Sequence, residues 1–200
     1  MRPRAPLRRS IVTAILYAVV LATGCVHRPV APPPPHDVHA VTIVPPANRT
    51  GDGLLIAGTS LLERYALHTE RFTVPDALAE ETASFLRARG YRVTERATVD
   101  AALHGRAPGS AEEASRSAST AGVAGAVLYL EIRRWEADAD THPAFIIAGV
   151  SASVIDVATG HEVWSVRRPV HPVATPGAVT LGAAYEIAVQ TVVAEMFASW

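Results

Sequence analysis

Lysine is absent: all eighteen basic residues are Arg. That excludes a Walker-A phosphate loop, a pyridoxal Schiff base and any other chemistry centred on a lysine amine. Cysteine occurs once, at Cys25. One thiol excludes an internal disulfide, a Cys-rich zinc site and a Cys-ligated iron–sulfur cluster. Aromatic residues are scarce at 6%, and the formal charge of −1 over 200 residues gives no electrostatic case for nucleic acid. Apolar residues make up 49% of the chain, enough for a buried core and too many for a wholly disordered chain.

The first 25 residues have three parts. Arg2, Arg4, Arg8 and Arg9 form a basic front, and Ile11–Leu21 is an eleven-residue apolar stretch without charge. Leu21-Ala22-Thr23-Gly24-Cys25 follows. A membrane span needs about 20 apolar residues, whereas a secretory signal needs an apolar region of about 7–15. Residues 1–24 therefore read as a signal peptide. Small residues running directly into Cys resemble the lipobox of bacterial lipoproteins, with Leu21 one step earlier than the usual position. The resemblance implies that the chain is cut between Gly24 and Cys25 and that the Cys25 thiol carries a diacylglyceryl anchor. Under the sorting rule of such lipoproteins, Val26 rather than Asp after Cys25 directs the chain to the outer membrane, facing the periplasm. Cleavage leaves fourteen Arg against nineteen acids, a mildly acidic chain that does not bind anionic lipid by charge alone.

Residues 25–39 read as a tether. Arg28–His39 holds five Pro, four of them consecutive, a composition that favours an extended, semi-rigid stalk. His36 and His39 in such a tail lack the supporting groups a metal site needs.

Residues 40–200 read as one globular domain. Val41–Val44, stopped by Pro45-Pro46, is a strand with its exit loop. Leu54–Leu67 is mostly apolar and predicts a helix within a longer stretch reaching Arg71. Thr73-Val74-Pro75-Asp76 is a helix start, and the helix stops at Arg89-Gly90. Tyr91–Thr94 reads as a strand, Val99–Leu103 as a short helical turn, and Ser110–Glu113 as a capping box that opens a helix to Gly122. Gly125–Trp135 alternates, with Leu128, Leu130 and Ile132 on one face and Tyr129, Glu131 and Arg133 on the other. Ala144–Asp156 and Glu162–Arg168 are further strands joined by a Gly160 turn. Leu181, Tyr185, Ala188, Val189, Val192 and Met196 form the buried stripe of a closing helix. The order β-α-α-β-α-α-β-β-β-α predicts an α/β fold: a mixed sheet of about five strands with helices packed on it.

Four segments in order resemble a family of small bacterial lipoproteins with a domain like the TolB amino-terminal domain and the curli-secretion lipoprotein CsgG. They are Val44-Pro45-Pro46-x-Asn48, Arg89-Gly90-Tyr91-Arg92-Val93, Gly125-Ala126-Val127-Leu128-Tyr129-Leu130-x-Ile132 and Asp156-x-x-Thr159-Gly160-x-x-x-Trp164. The resemblance spans Ala40–Arg168. It implies an accessory or assembly protein of an envelope transport or secretion system, working through an envelope protein partner or as a homo-oligomer. It carries over no catalytic residue, cofactor or metal. The Glu136–Pro143 connection is too short for a membrane-inserting hairpin of the curli-channel type.

Few residue patterns in the chain suggest chemistry. Gly149-Val150-Ser151-Ala152-Ser153 lies inside a strand pattern, where a nucleophile elbow does not form, and reads as small residues under a packed helix. Asp138, Asp140 and His142 read as a solvated hairpin tip, and Asp156 with Thr159 as a turn. Trp135 and Trp164 read as packing residues. Arg133-Arg134 and Arg167-Arg168 end two strands that a meander places parallel, so both pairs fall at one end of the sheet. One Arg from each pair then shares a face and could grip a phosphate or carboxylate. The alternative to an accessory role is therefore a module that captures an anionic glycan or lipid head group.

Overall fold

The computed structural model describes residues 32–57 and 71–200, and its organising feature is one long antiparallel hairpin. Strand β6 (Ala126–Ala137) pairs along nearly its whole length with β7 (Phe145–Asp156). Both are rich in β-branched and apolar residues, which suit a pleated surface buried on one face. Around this pair lie β1 (Ala40–Ile43), β2 (Ala47–Asn48), β5 (Arg92–Val93), β8 (Glu162–Arg167) and β9 (His171–Ala174). They complete a seven-stranded mixed sheet in the order β5-β1-β6-β7-β8. β1 runs parallel to both β5 and β6, as the early crossovers require, while β8 and β9 pair antiparallel with successive halves of β7. β2 lies parallel beside the later half of β6, where β1 has ended.

The α/β class and mixed sheet agree with the sequence reading, but the sheet has seven strands rather than about five. β9 escaped because Pro172 interrupts it; at a sheet edge a residue without an N–H is tolerated. β2 has two residues, too few to show any period. A larger correction concerns Leu54–Leu67. Its start is no helix: β3 (Leu55–Ala57) pairs antiparallel with β4 (Phe72–Thr73) as a separate two-stranded sheet. A short apolar run carries no period that separates strand from buried helix, and pairing partners decided this one. Residues 58–67 of that predicted helix lie outside the described residues.

Four described helices pack on the sheet: α1 (Val74–Ala88), α2 (Arg96–Leu103), α3 (Ala111–Thr120) and α4 (Leu181–Met196). Among the described residues no helix is long and apolar enough to cross a membrane. α1 starts where the sequence places it. The Thr73 hydroxyl accepts from the Asp76 N–H at 3.4 Å, while the Asp76 carboxylate accepts from the Thr73 N–H at 2.9 Å. Gly90 ends the segment at φ +87°, a left-handed conformation that costs glycine no Cβ clash. α3 shows a displaced version of the same device. The Ser110 hydroxyl accepts from the Glu113 N–H at 3.1 Å, but the Glu113 carboxylate reaches back to the Gly109 N–H at 2.7 Å.

The core lies between the sheet and the pair α1–α4. Leu128, Leu130, Ile132 and Trp135 of β6, with Val150, Ala152 and Val154 of β7, meet Leu78 and Leu86 of α1 and Val189, Val192 and Met196 of α4. On the opposite face a smaller cluster joins Val127, Tyr129 and Ile155 to Ala114 and Ala118 of α3. α3 covers only part of that face.

Candidate functional site

The uncovered part of the second face is built from two rows of side chains in register. Tyr129 stands opposite Ser153, which stands opposite Ser165; one step along, Glu131 stands opposite Ser151, which stands opposite Arg167. Alternation along each strand sends all six to the side away from α1 and α4. The amino-terminal end of α3, at Gly109, Ser110 and Ala111, closes one side, and Glu162 joins from the start of β8. The result is a groove of ≈ 310 Å³. Its lining offers serine and tyrosine hydroxyls, two carboxylates and one guanidinium, a set able to both donate to and accept from a polar ligand.

Tyr129 is the most constrained member. It is 4% exposed, and its hydroxyl is buried without a hydrogen-bond partner among the described residues. Burial pushes the phenol above its ordinary value and the nearby Glu131 charge adds to that, with Arg49 working against them. Arg49 itself donates to the Gly109 carbonyl. A buried hydroxyl left unpaired costs about 1–3 kcal/mol.

The four arginines singled out from sequence separate. Arg133 is the extra residue of a β-bulge: Ile132 pairs with Val150 and Arg134 with Gly149, leaving Arg133 unopposed. The bulge shifts the parity of β6. Trp135 thereby joins the apolar face, and Arg134 and Glu136 lie on the other, where they form a 2.8 Å ion pair. The strand also runs on to Ala137, so Arg133 and Arg134 do not end it. Arg133 donates to the Arg168 carbonyl at 3.3 Å, and Arg168 donates to the Glu195 carbonyl at the end of α4. Both keep a buried Nε without a partner among the described residues. Only Arg167 lines the groove, and it forms no ion pair among the described residues. Arg133 and Arg168 are thus brought together, while Arg134 is held by Glu136 and Arg167 stands with Glu131 and Ser151.

The remaining polar candidates are occupied by the backbone. The Asp138 carboxylate accepts from the Ala144 and Phe145 N–H groups at 3.0 and 3.3 Å, which fastens the β6–β7 loop. Asp156 accepts from the Thr159 N–H at 2.8 Å and from its hydroxyl at 2.9 Å; these bonds hold its carboxyl below the ordinary value. Among the described residues no group of three or more His, Cys, Asp or Glu could hold a metal. The small residues of β7 divide by face: Ala148 and Ala152 lie in the core under α4, while Ser151 and Ser153 line the groove. Gly149 sits where a Cβ would come within 2.8 Å of Val170 and 3.4 Å of the Arg134 Cβ.

Trp135 and Trp164 are both packing residues, at 1% and 5% exposure. Trp164 does more than pack. Its indole N–H donates to the Pro32 carbonyl at 3.0 Å, and the Ser199 hydroxyl donates to the same oxygen at 2.7 Å. The sequence separations of 132 and 167 residues put this contact beyond any local pattern. Gly24 and Cys25, the expected cleavage and lipidation residues, lie outside the described residues.

No family model matches the chain, and no curated protein matches it in sequence. Solved structures with a similar architecture include the lipoprotein GNA1162 from Neisseria meningitidis, at 18% identity and a TM-score of 0.41, covering 68% of this chain and 80% of that one. The PelC dodecamer from Paraburkholderia phytofirmans is 16% identical with a TM-score of 0.42, covering 83% and 93%. The C-terminal domain of LpoB from Salmonella enterica is 17% identical with a TM-score of 0.38, covering 68% and 84%. At such values a functional reading has to come from this chain's own residues.

Proposed function

We propose that the protein is a non-enzymatic lipoprotein, anchored through Cys25 in the outer membrane and facing the periplasm, where it serves as an accessory or assembly partner of an envelope transport or secretion system. The observation that carries this reading is the position of the chain's single Cys: it directly follows an eleven-residue apolar stretch and a small-residue junction ending at Gly24. Two or three acyl chains at about 0.8 kcal/mol per buried methylene would hold the protein firmly at a bilayer. The TolB- and CsgG-like reading of residues 40–168 belongs to the same proposal. It is supported by a parallel β1–β6 pair followed by the antiparallel β6–β7–β8 meander. Crosslinking and pull-down from native envelopes, with wild type beside Cys25→Ser, tests it. Defined partner proteins in the wild-type membrane fraction, and release of Cys25→Ser, are expected. Two soluble monomers without partners would defeat it.

A second reading, capture of a polar ligand such as an anionic glycan or lipid head group, is favoured by Arg167, unpaired among the described residues, in the groove that Ser151, Ser153 and Ser165 line. In this version Arg167 is the arginine that meets ligand, and Arg133, Arg134 and Arg168 hold the strands around it. Loss of glycan binding in Arg167→Ala, with unchanged thermal stability, is the expected result; retained binding would remove the groove from consideration.

A further inference from the structure

The chain has twelve aromatic residues, and five of them gather in one place. Trp164 of β8 stacks on Phe197 with ring centres 5.7 Å apart and an interplanar angle of 16°. Trp200 stands edge-on to both, at 5.0 and 5.4 Å. Tyr91 meets Trp200 at 5.2 Å, and Phe85 meets Phe197 at 6.0 Å. Arg89 locks the rim: its guanidinium lies 3.5 Å from the Phe85 ring centre and its Nε donates to the Trp200 carbonyl at 2.9 Å.

This cluster exceeds what a core needs, because it presents donors outward. The Trp164 indole N–H and the Ser199 hydroxyl converge on one acceptor, the Pro32 carbonyl, the first residue of the Pro32–Pro35 run. A proline run has carbonyls without matching N–H groups, so its acceptors are free for such donors. An aromatic wall that also donates to a proline carbonyl is the chemistry by which polyproline segments are bound, since the segment loses little entropy on docking. Pro34, Pro35 and Val38 are half-buried, and Val38 packs on the main core. The Trp200 Nε1 is buried without a partner among the described residues.

We infer that Trp164, Phe197, Ser199 and Trp200 form a polyproline clasp whose occupant is the chain's own tether, and that docking shortens the leash between Cys25 and the domain. The membrane part of this inference rests on the lipoprotein reading; the clasp itself does not. With Pro32 held, seven residue steps separate Cys25 from the domain, a reach of at most about 25 Å at the extended-chain limit. With the clasp open the leash runs from Cys25 to Ala40, at most about 54 Å. The clasp therefore sets how far the groove and sheet edges extend from the bilayer.

The test uses full-length protein purified in detergent, wild type beside a variant carrying Pro32→Gly, Pro33→Gly, Pro34→Gly and Pro35→Gly. Exchange of the Trp164 indole proton, followed by NMR, is expected to be about tenfold or more faster in the variant. A labelled synthetic peptide of residues 30–38 is expected to bind the variant about tenfold more tightly than wild type, whose clasp is filled. Adding Trp164→Phe to the variant removes the donor, keeps the ring, and is expected to abolish peptide binding while the far-ultraviolet circular dichroism stays native. Equal indole exchange in wild type and variant, or no peptide binding to either, overturns the clasp. Neutron reflectometry on supported bilayers reads the leash: a wider gap beneath the variant is expected, and equal gaps overturn the shortening. Loss of protein from the bilayer would count against the lipid anchor, and the exchange and peptide results would still decide the clasp.

Discussion

The two faces of the central hairpin are made from the same two strands and do opposite things. Toward α1 and α4, Leu128, Leu130, Val150 and Val154 are at most 1% exposed and belong to the main core. Toward the groove, the same strands present Tyr129, Glu131, Ser151 and Ser153. A sheet needs one apolar face to fold; the other face is free for polar chemistry, and α3 leaves it partly open. Stability should therefore concentrate on the first face and ligand recognition on the second.

Substitutions can break that comparison. Leu130→Ala, at a fully buried site, is expected to cost about 2–5 kcal/mol in chemical denaturation. A cost near zero would mean the main core is not where stability lies. Gly149→Ala brings a Cβ within 2.8 Å of the Val170 side chain, which is 48% exposed and can give way, and is expected to cost about 1 kcal/mol or less. On the groove face, Tyr129→Phe removes a buried hydroxyl that has no partner, and is expected to leave stability unchanged or raise it by about 1 kcal/mol, read as melting temperature. A loss of more than about 1 kcal/mol would show that the hydroxyl is satisfied within the chain.

The α1 cap gives a pH-dependent version. Burial pushes the Asp76 carboxyl up, but the bonds from the Thr73 hydroxyl, Arg96 and the Thr73 N–H together hold it below its ordinary 3.8. A carboxyl lowered in the folded state adds stability that is complete above its unfolded value and is lost as pH falls through the lower, folded one. Asp76→Asn should therefore destabilise at pH 7 and converge with wild type in acid below 3.8. A constant gap from pH 7 down to pH 2, in denaturation series, would contradict this. Thr73→Ala is expected to cost about 1 kcal/mol by loss of the cap.

Much of the apolar face was legible in the sequence because it obeys a short period. Leu128, Leu130 and Ile132 alternate, the stripe of α4 recurs at helical spacing, and Thr73 with Asp76 marks a helix start. The groove was half legible: Tyr129 and Glu131 fell on the correct face, but Ser151 and Ser153 read only as small strand residues and Ser165 carried no signal. Arg134 departs from plain alternation for a definite reason. Uninterrupted alternation from Ile132 puts Arg134 on the apolar face and Trp135 on the polar one; the bulge at Arg133 exchanges them. No glycine or proline within β6 marks that bulge; the glycine that accommodates it, Gly149, lies opposite on β7. The Trp164–Pro32 bond joins residues from opposite ends of the chain, which only the folded structure brings together.

Mass spectrometry of the amino-terminal peptide, from protein extracted from cells, reads the proposed anchor at Cys25 itself. A peptide beginning at Cys25, heavier than its sequence by a diacylglyceryl group with or without a third acyl chain, is expected. A peptide that begins elsewhere, or an unmodified Cys25 thiol, would overturn the lipid anchor.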